Sequence, residues 1–201
     1  MILRRLFEGR KVGFYVDVGA HHPKRFSNTF LFYKKGWRGI NIDAMPGSMR
    51  LFNKWRARDI NLEIGVAYKS DTSDYYIFNE PALNGFSADL SRMREQASDS
   101  YHVKEVIKVK VYPLREILAR HLGINQIDFL SVDVEGLDLQ VLQSNDWSQY
   151  RPSFVLVEIL KSSLHDLGND PIVQFMAKHD YVIYAKQVNT AFFQDARADQ
   201  V

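Results

Sequence analysis

The sequence predicts an α/β fold, a doubly wound and mostly parallel sheet with helices on both faces. Three observations carry this. Short apolar, β-favouring runs alternate with stretches of helical periodicity through most of the chain. The first run, Phe14 to Val18, stops abruptly at Gly19, where the backbone can turn tightly or admit a ligand. Four runs end on or beside a carboxylate: Asp17, Asp43, Asp133 with Glu135, and Glu158. In a doubly wound sheet those ends collect along one edge, the edge where nucleotide-like ligands lie.

The elements follow in order. Residues 1–12 read as an N-terminal arm carrying Arg4, Arg5, Arg10 and Lys11, frayed or in contact with an anionic acceptor. Phe26, Phe30, Tyr33 and Trp37 recur at helical spacing, so Arg25 to Lys35 reads as an amphipathic helix stopped by Gly36. Arg38 to Ala44 is a second strand ending on Asp43. A short helix follows Pro46, with Met49, Phe52 and Trp55 turned to the sheet. Ile60 to Ala67 has the alternation of a third strand, Lys69 to Asp74 reads as a polar turn, and Tyr75 to Phe78 as a short strand. Residues 79–102 are too long for a simple connection and read as an acceptor-side insertion or lid, partly helical. Val106 to Tyr112 is a half-exposed strand, and Pro113 opens a helix through Leu122. Ile127 to Val134 is a central strand, and Glu135 and Gly136 turn the chain into a helix bearing Leu139, Val141 and Leu142. Ser153 to Leu160, a helix over Pro171 to His179, and strands at Tyr181 to Lys186 and Thr190 to Phe193 complete the set. No internal repeat or linker interrupts it, so residues 1–201 read as one domain.

Composition narrows the function. The 201 residues are 46% hydrophobic and 25% charged, enough for one full core, and the net charge of +2 predicts no large nucleic-acid footprint. No Cys is present, which excludes disulfides, thiol catalysis and Cys-ligated zinc and suits a cytoplasmic setting. No stretch reaches the roughly 20 apolar residues of a membrane span, and Met1 to Lys11 lacks the apolar core of a secretion leader. The runs Lys34, Lys35, Arg38 and Lys54, Arg56, Arg58 read as solvated helix faces.

The carboxylates carry the chemistry. Asp43 stands 24 positions after Gly19, at the place and spacing from which a carboxylate accepts hydrogen bonds from ribose hydroxyls; its alternative role is to cap the turn before Met45 and Pro46. The first turn, with His21, His22 and Pro23 after Gly19 and Ala20, lacks the G-x-G-x-x-G of a pyrophosphate cradle. NAD and FAD are therefore disfavoured, and a nucleoside cofactor without phosphate, S-adenosylmethionine, fits better.

The run Val16-Asp17-Val18-Gly19-Ala20, then Ile42-Asp43, then Asp128 to Gly136 followed by Leu139, Val141 and Leu142, resembles the FkbM-type methyltransferases from about Phe14 to Ala185. The Asp-Val-Glu-Gly stretch at Asp133 to Gly136 is its most specific part. The resemblance implies a class I, Rossmann-like fold and methylation of a hydroxyl on a sugar, glycan or secondary metabolite, with S-adenosylhomocysteine as product. It implies that Asp17, Gly19 and Ala20 shape the methionine end of the cofactor site, with His21 and Ala44 beside it. Asp43 would hold the ribose, and Asp133 and Glu135 would stand between cofactor and acceptor. The family's usual Asn and second Gly in the first turn are His21 and Pro23 here, and its usual Glu in the second strand is Asp43.

Deprotonating an acceptor hydroxyl needs a base, for which Asp133, Glu135 and Glu158 are the expected catalytic set, unless Asp133 only binds cofactor. The same three carboxylates could hold a divalent metal such as Mg²⁺. The His residues show no zinc-ligand spacing, although His102 could be a base delivered by residues 79–102. Tyr75, Tyr76, Phe86 and Tyr101 could stack on sugar faces, and Ser162 to Asn169 should border the mouth of the site. The expected partner is a small-molecule or glycan acceptor with a free hydroxyl, with no nucleic acid. The alternative to an enzyme is a catalytically inactive protein of the same fold that binds S-adenosylmethionine in polysaccharide biosynthesis.

Overall fold

A computed structural model describes residues 2–160, 163 and 165–197. In chain order its strands are β1 (Phe14–Val18), β2 (Arg38–Asp43), β3 (Ile60–Glu63), β4 (Gly65–Val66), β5 (Asp71–Phe78), β6 (Val103–Tyr112), β7 (Phe129–Val132), β8 (Phe154–Glu158), β9 (Tyr181–Gln187) and β10 (Thr190–Asp195). The α-helices are α1 (Ile2–Leu6), α2 (Phe30–Lys34), α3 (Ser48–Trp55), α4 (Ala88–Ala97), α5 (Leu114–His121), α6 (Asp138–Gln143) and α7 (Pro171–Lys178).

Seven strands form one sheet in the order β3-β2-β1-β7-β8-β10-β9. From β3 to β8 all pairs are parallel, and β10 runs antiparallel to both neighbours. The strand order reverses between β1 and β7, which pair with Val18 opposite Val132. Such a reversal leaves a crevice beyond the carboxyl ends of the two strands, because their following connections leave in opposite directions.

The two faces of the sheet are filled by alternate residues of the same strands. Tyr15, Phe129, Leu156 and Phe192 pack with Leu3, Phe7, Phe32 and Trp37, which puts α1 and α2 over that face. Arg56, just after α3, reaches Tyr15 and Asn41 on the same side. Val16, Ile40, Leu130 and Val155 turn the other way, toward α5, α6 and α7 through Leu118, Leu142 and Met176. The N-terminal segment is therefore not a frayed arm. Leu3 and Phe7 are buried, and Phe7 meets Phe32, Trp37 and Phe129 at centroid distances of 5.8, 5.1 and 5.8 Å. Burying a Phe contributes about 1.5–3 kcal/mol, enough to hold a five-residue helix that would not form alone.

Four further expectations change. Helix α2 is confined to Phe30–Lys34, and the chain bends through residues 23–28. Phe26 has φ +56° and is 87% exposed, so the helical spacing of aromatics before Phe30 does not reflect a helix. The expected strand from Ile60 to Ala67 is two strands in different sheets, since β4 joins β6 and β5 in a three-stranded sheet. Gly65 marks the crossing: a Cβ there would lie 2.4 Å from Phe86 and 2.8 Å from Val111, so only a bare backbone passes. The polar stretch from Asp71 to Asp74 belongs to β5 and pairs with β6 rather than forming a turn. Trp55 is 47% exposed and does not face the sheet, whereas Met49 and Phe52 do pack inward.

Candidate active site

The crevice between β1 and β7 is built on a close backbone crossing. Gly19 has φ +81°, and a Cβ on it would stand 1.8 Å from the carbonyl oxygen of Asp133. Only glycine lets the turn after β1 lie against the turn after β7. The Gly19 and Ala20 amides donate to the Ile42 carbonyl at 2.9 and 3.0 Å, and the Asp133 amide to the Val18 carbonyl at 3.0 Å. Three strand ends are thereby held as one rim.

Asp43 closes that rim. Its Oδ2 accepts from the His21 amide at 2.7 Å and its Oδ1 from the Met45 amide at 2.8 Å. It thus caps the turn to Met45 and also lines the cavity, so the two roles expected for it are compatible. A carboxylate has about four acceptor positions, so beyond these amides and the neighbouring Ser48 hydroxyl, acceptor capacity remains for a ligand. Burial raises its pKa, opposed by those two amides. His21 contributes its backbone in a left-handed conformation, φ +52°. The His22 ring turns away to accept from the Lys24 and Arg25 amides through Nδ1.

Asp17 lies below the rim, buried, and accepts from Thr29 Oγ1 at 2.8 Å. Burial pushes it up to about 6, against the pull of the Thr29 hydroxyl and the Arg56 guanidinium. Arg56 is fully buried. Its Nη2 donates to Tyr15 Oη at 2.7 Å, Thr29 Oγ1 at 2.9 Å and Asn41 Oδ1 at 3.0 Å, and its Nε to Asp59 Oδ2 at 2.9 Å. The expectation of a solvated helix face fails at this residue, because a guanidinium with this many partners tolerates burial.

Across the crevice Asp133, Glu135 and Glu158 come together, each offering an oxygen within 4.8 Å of the others. Asp133 is open to the cavity, yet the protein around it strips away part of its hydration and so disfavours its charge. Burial, then Glu158, Glu135, Asp138 and Asp17, push it up to about 7. Burial and Glu135 likewise push Glu158 up to about 7. Glu135, at φ +55°, is paired with Arg94 of α4, whose Nη1 also donates to the Leu83 carbonyl at 2.7 Å. Asp138 holds the intervening turn by accepting from the Val134 and Gly136 amides, both at 3.2 Å. Three oxygens at this spacing suit a hard divalent cation, although one carboxylate is already engaged by Arg94.

The cavity above these residues has a volume of about 270 Å³. Its wall combines the rim (Gly19, Ala20, His21, Asp43, Ala44) with Asp133 and Glu135, and with Asn84, Gly85 and Phe86 from the 79–102 segment. Four carboxylates line it, Asp17, Asp43, Asp133 and Glu135, and among the described residues no Lys or Arg does. Such a wall suits a cationic ligand without phosphate.

The profile of the Methyltransferase FkbM domain matches residues 17–183, most of the chain. The chain belongs to the FkbM methyltransferase family. A crystal structure of methyltransferase FkbM from Methylobacillus flagellatus KT superposes on this FkbM domain with a TM-score of 0.55 at 14% identity. The alignment covers 92% of this chain and 44% of that one, so this chain spans less than half the length of that structure. The likeness establishes the fold. No curated protein matches the sequence.

The FkbM domain gathers Asp17, Gly19, Ala20, His21, Asp43, Ala44, Asp133 and Glu135 around one cavity, and Glu158 offers an oxygen within 4.8 Å of Asp133 and Glu135 without lining it. It does not bring His102, Tyr76 or Tyr101 there; Tyr75 and Phe86 do line the cavity, Tyr75 buried against Phe86 with ring centroids 4.8 Å apart. Of the segment expected at the mouth, Ser162 and Leu164 lie outside the described residues. Phe26, Asn84, Arg94 and Asp138 are participants that the sequence reading missed. Only Asp138 had a local signal, a carboxylate two residues after a glycine turn.

Proposed function

We propose that this domain is an S-adenosylmethionine-dependent O-methyltransferase acting on a hydroxyl of a sugar, glycan or secondary metabolite. The observation that carries the reading is the acidic cavity, free of Lys and Arg among the described residues, in which the Gly19 turn lies directly against Asp133. Family membership supports methyl transfer as the reaction class. The residues fit the cofactor: Asp43 keeps acceptor capacity for ribose hydroxyls, the rim backbone at Gly19 and Ala20 admits close approach, and the carboxylates complement a sulfonium and an ammonium. When bound, S-adenosylmethionine supplies an electrophilic methyl group.

The chain's own task is to orient the acceptor hydroxyl and remove its proton. Asp133 and Glu158, both near pKa 7, are poised to accept a proton at neutral pH. They act as a coupled pair, because the charge of Glu158 is the largest neighbouring influence on Asp133. Glu135, fixed by Arg94, holds the position of the turn and contributes negative charge.

Calorimetric titration with S-adenosylmethionine and S-adenosylhomocysteine tests the reading. Wild type should bind both. Asp43→Ala should lose binding, with Asp43→Asn intermediate because it keeps one acceptor for the two amides. Asp133→Asn should bind cofactor and lose turnover on hydroxyl acceptors. Loss of binding in Asp133→Asn moves that residue to the cofactor site, and binding without turnover on any acceptor in wild type favours the inactive binding protein. Activity that disappears with EDTA and returns with Mg²⁺ assigns the three-carboxylate cluster to a metal.

A further inference from the structure

The charge of this chain is divided unevenly, and the fold collects the imbalance on one side of the sheet. Of 26 Lys and Arg, thirteen fall within the first 58 residues, together with only three of the 24 Asp and Glu. Two of those three acids, Asp17 and Asp43, are buried at the cavity, leaving Glu8 outside. The same 58 residues supply α1, α2 and α3, the helical layer over the Tyr15 face. Among the described residues, the salt bridges of this layer engage only Arg10, with Asp128, and the buried Arg56. Among the described residues its eleven other cations carry none, whereas six of the twelve described cations beyond residue 58 are paired. Crowding unpaired like charges on one face opposes folding, so a stability role does not account for them.

Apolar side chains are exposed among those charges. On α3, Leu51 and Trp55 stand one turn apart, 45% and 47% exposed, beside Arg50 and Lys54. Lys24 Nζ lies 3.0 Å from the centre of the Trp55 ring. Phe26, with the Arg25 guanidinium over its ring, stands exposed on the cavity wall. Cations around exposed Leu, Trp and Phe match the interface of an anionic bilayer, where headgroups take the charges and the apolar tips enter the acyl boundary. A nucleic acid would use the cations and the rings but gives Leu51 no partner.

We propose that the α1–α3 face is a peripheral membrane surface that binds anionic lipid headgroups and brings the cavity rim at Phe26 to the bilayer. Neither cofactor nor acceptor is needed to test it. Trp37 and Trp147 are 0% and 4% exposed, so a change in tryptophan emission on adding vesicles reports on Trp55. Vesicles of phosphatidylcholine with phosphatidylserine should sediment the protein and shift its emission to the blue, and pure phosphatidylcholine vesicles should do neither. The double variant Arg50→Glu, Lys54→Glu should weaken partitioning more than about tenfold, given roughly 1 kcal/mol per cation near such a surface. Leu51→Ser should reduce partitioning with its salt dependence intact, and Lys178→Glu on the opposite layer should leave it unchanged. Absence of sedimentation with anionic vesicles, or an equal loss in Lys178→Glu, overturns the proposal. So does an emission change with polyuridylate but not with vesicles, which assigns the face to nucleic acid.

Discussion

Replacing Arg56 with Met tests the layer beneath the site, because this one buried guanidinium ties β1, β2 and the loop before α2 together. The side chain is fully inaccessible and reaches Tyr15, Thr29, Asn41, Asp59 and the Pro23 carbonyl. Removing one partner of a buried ion pair costs about 3–5 kcal/mol. Asp59 would still accept from the Tyr15 hydroxyl at 2.7 Å and from the Gly39 and Asn41 nitrogens, both at 3.0 Å, which places the loss near the lower end, about 3 kcal/mol. For a domain of this size that lowers Tm by roughly 6–12 °C. The deficit should also depend on pH. Asp17 has a folded pKa raised to about 6 from 3.8, so the stability it contributes is present below 3.8 and lost as pH rises through about 6. Arg56 attracts the ionised form and offsets that loss. The Arg56→Met deficit should therefore be larger at pH 8 than at pH 5. Urea unfolding followed by circular dichroism at both pH values measures it. A loss below about 1 kcal/mol, the scale of an exposed ion pair, would refute the reasoning.

Two further outcomes follow from the crevice. Gly19→Ala should abolish cofactor binding, since its Cβ meets the Asp133 carbonyl oxygen at 1.8 Å and φ +81° alone costs about 1–2 kcal/mol; a variant that titrates like wild type sinks the proposed crossing. The rate kcat/KM should rise with pH through about 7 as the Asp133–Glu158 pair ionises. Glu158→Gln removes the largest like charge and should move the midpoint of Asp133 to lower pH, while Arg94→Gln removes the cation near Glu158 and should move the profile to higher pH. A profile unmoved by either variant assigns the proton transfer to another group.

The parts of the site legible in the sequence are those whose signal is local. A strand buried at every position, followed by Gly19, announces a turn at the sheet edge, and the same logic places Asp43 and the Asp133 to Gly136 turn. Phe26 misled because helical spacing of aromatics predicts a shared face only if the backbone is helical, and residues 23–28 are not. Arg56 was illegible for a different reason. Its neighbours Lys54 and Arg58 are exposed, and the acceptors that permit its burial come from Tyr15, Thr29 and Asn41, up to 41 residues away. Ile60 to Ala67 keeps one alternation pattern across two sheets, so the break at Ile64 has no periodic mark.

The two arginines missed in the sequence explain where a base can exist. Of the carboxylates around the cavity, Asp17 lies under the influence of Arg56, Glu135 is paired with Arg94, and Asp43 is occupied by two amides. Each thereby has a partner that holds the rim or its turns. Among the described residues Asp133 makes no side-chain hydrogen bond or salt bridge, and it faces Glu158, equally unpaired, across the cluster. Two close carboxylates without a salt-bridge partner, with Arg94 only partly offsetting the repulsion at Glu158, cannot both ionise cheaply, so they hold a proton near neutrality. Engaging the other acids with cations or amides therefore does more than stabilise the fold: under the proposed function it leaves Asp133 and Glu158 as the pair able to exchange a proton.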